Sequence, residues 1–340
     1  MGRETILGAG VMVRESFLAL LLCLGVTAGT AYSQQSPEKP QAVVVVVGAQ
    51  GDAKFGKQFQ AWADAWQQAA GHTQLTVIGL GDEKATSREQ LRQVIADFAD
   101  DEKLEEVWLV LMGHGTFDGK RAKFNLAGPD VAATELQSWL LPVKQRTVIL
   151  NCASSSSPFI NLLSGKNRIV VTATRNGYEY NFARFGKFLV DAIDDPAVDL
   201  DKDGQTSVLE AFCAASREVA DFYQQEKRVA SEHALIDDNG DKRGTPATWF
   251  EGVRVVKKAK SGTPDGLAAN QVFLKRSGIE SSLSVEDRQS RDKLESQLEK
   301  LRSQKAAMDE SEYLKALEPL MVRLATLYSR AESSTENPTR

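Results

Sequence analysis

Val107-Trp108-Leu109-Val110-Leu111-Met112, stopped by Gly113-His114-Gly115, and Thr147-Val148-Ile149-Leu150, stopped by Asn151-Cys152, are the two stretches that decide how this chain folds. Each is a continuous apolar run of strand length closed by glycine or polar residues. A half-exposed strand would alternate, so an unbroken run fits a strand buried on both faces of a parallel sheet. Groups that handle ligands gather at the carboxyl ends of such strands. The two runs therefore set one imidazole and one thiol at the same edge of one sheet, a single βαβ crossover apart.

Working outward, Ala42 to Val47 is a β-branched run and the first buried strand. Phe55, Phe59, Trp62 and Trp66 recur at helical spacing and predict a helix to Ala70, with Gly71 as its stop. Leu75–Leu80 reads as a strand, and Ser87 with Glu89 and Gln90 opens a helix to Asp100. Ala122–Leu126 reads as extended, and Pro129-Asp130 opens a helix to Leu141. Beyond Cys152 come a short helix at 158–163, a strand at Arg168–Thr172, helices at Asn181–Ile193 and Ser207–Val229, and a late strand at Val253–Val256. Strands alternating with helices predict an α/β fold, a mostly parallel six-stranded sheet with helices on both faces, over residues 42–258. Residues 259–285, rich in Gly, Ser, Asn and Pro, read as a linker. Residues 286–332 carry Leu294, Leu298 and Leu301 on one helical face and Tyr313, Leu317, Leu320, Leu324 and Leu327 on another. They predict a C-terminal helical hairpin for packing or homo-oligomerisation, with Pro319 kinking or restarting its second helix.

The bulk numbers narrow the function. A chain of 340 residues with a net charge of −5 and no basic stripe gives no electrostatic case for nucleic-acid binding. Arg14, the apolar stretch Phe17–Gly25 and the Ala31-Tyr32-Ser33 cleavage pattern predict a signal peptide over 1–33 and export to the periplasm or beyond. The stretch is too short for stable membrane insertion. Cleavage removes Cys23 and leaves Cys152 and Cys213, too few for a disulfide framework. Thiolate chemistry needs an imidazole beside the sulfur and backbone N–H donors aimed at a developing oxyanion. His114, Cys152 and the N–H groups of Gly115 and Cys152 are the candidates, and Gly115 lets another main chain approach closely.

The order strand–His114-Gly115, helix, strand–Cys152 resembles the legumain and caspase group of clan CD cysteine endopeptidases, and more closely legumain. Cys152-Ala153-Ser154-Ser155-Ser156 is similar to its Cys-Glu-Ser-Gly-Ser, and Val170-Val171-Thr172-Ala173-Thr174 to the segment that walls its specificity pocket. The resemblance covers about 42–256. It implies a caspase-like α/β/α sandwich and peptide-bond hydrolysis through a Cys-His dyad and an acyl-enzyme, acting on peptide or protein substrates. Cys152 would be the nucleophile, His114 the general acid/base, and the Gly115 and Cys152 N–H groups the oxyanion hole. Thr172, Ala173, Thr174 and Arg175 would line an extended substrate. Lys54-Phe55-Gly56-Lys57-Gln58 lacks the arginine with which legumains select Asn, so that preference does not carry over. The alternative is a catalytically inactive peptide-binding or scaffold protein on the same fold.

Two local motifs stand beside this. Asp199-Leu200-Asp201-Lys202-Asp203-Gly204, closing with Glu210, matches an EF-hand-like calcium loop over 199–210. Asp199, Asp201, Asp203, the Gln205 carbonyl and Glu210 are the expected ligands of a structural Ca2+, and catalysis itself calls for no cofactor. Gly51 to Gln58 follows a strand and opens a helix like a phosphate loop, but Gln58 stands where a magnesium-binding hydroxyl is needed. Nucleotide binding is thus a minor alternative. Asp237-Asp238-Asn239-Gly240-Asp241 is a second acidic turn without calcium-loop spacing, with His233 just before it. Cys213 reads as a small core residue, and His72 as a turn residue.

Overall fold

The computed structural model describes residues 41–71, 73–80, 86–257, 264–276 and 278–336. The expected signal peptide at 1–33, the polar stretch 34–40, His72, residue 258 and residues 259–263 of the expected linker lie outside the described residues. Among the described residues no helix is long and apolar enough to cross a membrane.

The central sheet is built from β1 (Gln41–Val47), β2 (Gln74–Ile78), β3 (Glu106–Met112), β7 (Arg146–Asn151), β8 (Arg168–Thr172), β9 (Leu235–Asp237) and β10 (Thr245–Pro246). Its order is β10-β9-β8-β7-β3-β1-β2. The strands from β2 through β8 run parallel, β9 lies antiparallel to β8, and β10 antiparallel to β9. This strand order, with helices on both faces, is the expected α/β/α sandwich around a mostly parallel sheet. The expected six strands become seven because the two-residue β10 adds an edge. The late strand is β9 rather than Val253–Val256. That stretch contributes β12 (Arg254–Val255), which pairs only with β11 (Phe250–Glu251). Just past β3, β4 (Gly115–Phe117), β5 (Ala122–Phe124) and β6 (Val131–Ala132) form a small antiparallel sheet.

Two-sided burial explains the apolar runs. All seven residues of β1 and of β3 are buried. Val43, Val45, Val47, Trp108, Val110, Met112, Val148 and Leu150 face one core, shared with α1 (Ala53–Ala70), α5 (Phe185–Asp194) and α6 (Val208–Gln225). Val44, Val46, Leu109, Leu111 and Ile149 face the other, under α2 (Ser87–Asp100), α3 (Ala133–Leu140) and α4 (Ile160–Leu163). Each fully buried valine or leucine contributes roughly 1.5–3 kcal/mol. No face of β1, β3 or β7 can therefore turn outward.

The C-terminal part consists of α7 (Gly278–Ser282), α8 (Val285–Gln304) and α9 (Glu310–Glu336). Leu294 and Leu298 of α8 pack on Leu324 of α9, as expected of a hairpin. The α9 helix runs through Pro319 without interruption. Residues 264–276 are no free linker: Val272, Phe273 and Leu274 are buried, and Gln41 Nε2 donates to the Phe273 carbonyl. The hairpin is tied to the amino edge of the sheet by ion pairs, Arg146 to Asp292 (3.2 Å) and Arg288 to Glu105 (3.6 Å).

Candidate active site

The sheet brings the two predicted residues to one edge. Leu111 pairs with Asn151, so the carboxyl ends of β3 and β7 lie side by side. His114 is half-buried. Its ring meets Phe55, Phe59 and Phe182 edge-on at centroid distances of 5.4, 5.7 and 6.0 Å. Phe55 and Phe59 come from α1, and Phe182 from the segment before α5. Burial among these rings lowers the His114 pKa below its ordinary 6.5, which keeps the imidazole neutral at physiological pH.

The sulfur does not reach the surface beside it. Cys152 continues the face of Val148 and Leu150 and is 1% exposed. Its Sγ has one polar neighbour, the Leu150 carbonyl at 3.7 Å. The first turn of α5 lies across it, so a Cβ added to Gly186 would stand 2.8 Å from the Cys152 Cβ and 3.3 Å from Sγ. Burial, and then the nearby Glu232 carboxylate, push the thiol pKa up, so the proton stays on. The sequence expectation of a sulfur open to substrate is corrected here. A strand buried on both faces must give its alternate side chains to the α1/α5 core, and Cys152 has that parity.

The expected oxyanion donors are also engaged. The Gly115 N–H donates to Ser154 Oγ (3.1 Å), and the Cys152 N–H donates to the Leu111 carbonyl (2.9 Å) as part of the sheet. Gly115 is required because a Cβ there would lie 2.3 Å from the Ser154 carbonyl oxygen. The close approach that the sequence assigned to a substrate is made by the chain's own main chain.

The expected substrate wall divides likewise. Thr172, Ala173 and Thr174 are fully enclosed. Thr172 Oγ1 donates to the Thr174 carbonyl, and Thr174 Oγ1 accepts from the Ser157 N–H. Their hydrogen bonds hold the turn after β7 rather than a ligand. Arg175 is outside, pairing with Glu179 (3.2 Å), which also meets His233 Nδ1 (2.6 Å). Tyr178 and Tyr180 stand 69% and 74% exposed on the same loop, with Tyr178 edge-on to Phe117. A cavity of about 480 Å³ is walled by Ala173, Phe185, Cys213, Glu232, His233 and Phe250 among others. Burial pushes the Cys213 thiol up to about 12.

Sequence reasoning passed over two residues. Ser155 takes a left-handed φ of 53° in the turn from β7 to α4, and its buried Oγ has no hydrogen-bond partner. Glu232 accepts from the Arg184 and Phe185 N–H groups and from the Tyr223 hydroxyl, which caps α5 and holds it over Cys152. A lone Glu in a loop carries no sequence signal for a cap on a helix so far away along the chain. At the start of α1, Asp52 accepts from the Lys54 N–H (3.0 Å). A carboxylate already fills the place a phosphate would take, against the nucleotide alternative.

The acidic loop brings three of its expected ligands together. Ligand oxygens of Asp199, Asp201 and Asp203 lie within 4.8 Å of one another. Lys202 and Gly204 have φ of 64° and 89°, and Asp199 accepts from the Asp203 and Gly204 N–H groups. Burial, and then the Asp201 charge, push Asp203 up to about 7. Glu210 accepts from the Leu200 and Asp201 N–H groups and from Ser207, closing the loop at its other end. Clustered like charges on a turn of this shape fit a bound Ca2+.

No family model matches the chain, and no curated protein matches it. Two solved structures of caspases are similar to it. The Drosophila initiator caspase Dronc is 15% identical over 70% of this chain and 96% of that one, with a TM-score of 0.42. Caspase-1 from Spodoptera frugiperda is 12% identical over 62% and 90%, with a TM-score of 0.40.

Proposed function

We propose that this chain is an exported, non-hydrolytic peptide-binding protein on a caspase-like fold, braced by calcium at the 199–210 loop. One observation carries the choice over a cysteine endopeptidase: the Cys152 sulfur is sealed under α5, with its proton retained. Both backbone donors that would serve an oxyanion are spent on the chain itself. What the carboxyl edge offers a partner is Arg175, Tyr178 and Tyr180, residue types that dominate recognition surfaces. The apolar cavity walled by Ala173, Phe185 and His233 suits an apolar side chain of the bound peptide. His114 is ringed by Phe55, Phe59 and Phe182 at the same carboxyl edge.

The test uses the chain from Gln34 onward and a labelled peptide library. Binding without cleavage is expected. Tyr178→Ser with Tyr180→Ser should weaken it roughly 10-fold or more, as loss of two aromatic contacts of about 1 kcal/mol each implies. Cys152→Ala should leave the affinity unchanged. Peptide hydrolysis that disappears in Cys152→Ala but persists in Cys213→Ala would replace this reading with the endopeptidase.

A further inference from the structure

The cavity of about 480 Å³ falls within the size range of ligand pockets, roughly 300–1,000 Å³. Ala173, Phe185, Val219 and Ala234 give it a buried apolar wall. Its lining reaches solvent through Arg217 on α6 and through Thr248 and Gly252, all exposed. Three side chains of charged type belong to that lining, Arg217, Glu232 and His233. Glu232 is spent on the Arg184 and Phe185 N–H groups and the Tyr223 hydroxyl, and burial pushes its carboxyl up towards the neutral acid. His233 Nδ1 is held by Glu179 (2.6 Å). The Arg217 guanidinium has no hydrogen bond or ion pair among the described residues. Its charge nevertheless acts on the cavity wall: burial raises the Cys213 thiol, Glu210 adds to that, and Arg217 opposes it. An apolar cavity with one uncommitted cation at its rim fits a ligand that is apolar in body and anionic at one end.

We propose that this cavity receives the C-terminal residue of the bound peptide, with an apolar side chain inside it and the terminal carboxylate on Arg217. The inference rests on the peptide-binding reading and names the class of peptide. In a C-terminal residue the side chain and the carboxylate share one Cα, so a single residue supplies both the apolar body and the charge. An interior residue would bring only a neutral amide to Arg217, and a hydrogen bond between two charged groups is roughly twice as strong as a neutral one. An Asp or Glu side chain would carry its charge in among Ala173, Phe185 and Val219, which costs desolvation without a partner. The His233–Glu179 contact joins the cavity wall to the loop that presents Tyr178 and Tyr180. One peptide can therefore lie on that loop and end in the cavity.

The test is fluorescence anisotropy with the chain from Gln34 onward and short peptides labelled at the amino end. Each peptide ends in Leu, Asp or Lys and is made both as the free acid and as the C-terminal amide. The Leu acid should bind roughly 10-fold or more tighter than its amide and than the Asp and Lys acids. Arg217→Gln should bring the Leu acid down to its amide. Ala230→Leu, which narrows the cavity and leaves Arg217 in place, should weaken the Leu acid as well. Circular dichroism confirms the fold of each variant, and the exposure of Arg217 makes its replacement compatible with folding. Equal binding of acid and amide by the wild type overturns the proposal, as does an acid preference that persists in Arg217→Gln or equal binding of the Leu, Asp and Lys acids. In each of those outcomes peptide binding itself stands. Failure of every peptide to bind, acid or amide, overturns the peptide reading and this inference together, and binding of decanoate in that case assigns the cavity to a lipid.

Discussion

Replacing Cys152 by serine separates a sealed core thiol from a working nucleophile. The sulfur contacts the α1/α5 core, and its one polar neighbour is the Leu150 carbonyl at 3.7 Å. A serine oxygen sits closer to Cβ and lies further from that carbonyl, so its hydroxyl is stranded at a cost of about 1–3 kcal/mol. Losing the sulfur's packing adds about 1 kcal/mol. Cys152→Ser should therefore lose about 2–4 kcal/mol, and Cys152→Ala about 1–2 kcal/mol. At roughly 2–4 °C per kcal/mol for a domain of this size, the serine variant should melt roughly 5–15 °C below wild type. The alanine variant should fall between the two. Thermal and urea melts at fixed calcium read this order directly. A cysteine open to a groove would tolerate both changes within about 0.5 kcal/mol. A serine variant as stable as wild type would refute the reasoning.

Three further outcomes follow from the geometry. The folded-state pKa of His114 is depressed below 6.5, so its neutral form stabilises the fold at higher pH, and that stability is lost as pH falls below 6.5 through the depressed value. His114→Phe should flatten the acid limb of a stability-versus-pH curve, and an unchanged limb would assign it to other groups. Chelation, or Asp199→Ala in calcium buffer, should lower the melting temperature; calcium at 100 times its Kd contributes about 2.7 kcal/mol, and superimposable melts would remove the loop from the account. Arg291 is 4% exposed and meets Glu280 at 2.5 Å, so Arg291→Ala strands a buried charge at about 3–5 kcal/mol. Limited proteolysis should then release the hairpin before the sheet domain, whereas simultaneous digestion of both would contradict its separate docking.

Much of this was legible in the chain itself. The runs at 42–47, 107–112 and 147–150 could be read as parallel strands because two-sided burial leaves no polar alternation to disguise them. The clustering of Asp199, Asp201 and Asp203 was legible because these residues are local, and a spacing of alternate aspartates survives in one dimension. The same two-sided burial hid the direction of Cys152. Where both faces are apolar, no pattern marks which core a side chain enters. Its cover, the Gly186 turn held by Glu232, comes from residues far along the chain. Gly115 was read correctly as a point of close approach, yet the approaching group is the Ser154 main chain. β9 escaped notice because three residues, one of them a buried aspartate, carry too little periodicity. Residues 264–276 escaped because Gly, Pro and Asn can line a strap as readily as a free linker.

The central claim is that the Cys152 thiol lies outside any ligand's reach in the folded chain. Alkylation with iodoacetamide, read by peptide mass spectrometry, tests it directly. Modification of Cys152 should track global unfolding across a urea series and be nearly absent in native buffer. Rapid, stoichiometric modification of Cys152 in the folded protein, blocked by bound peptide, would contradict the account and restore a reactive thiol to the groove.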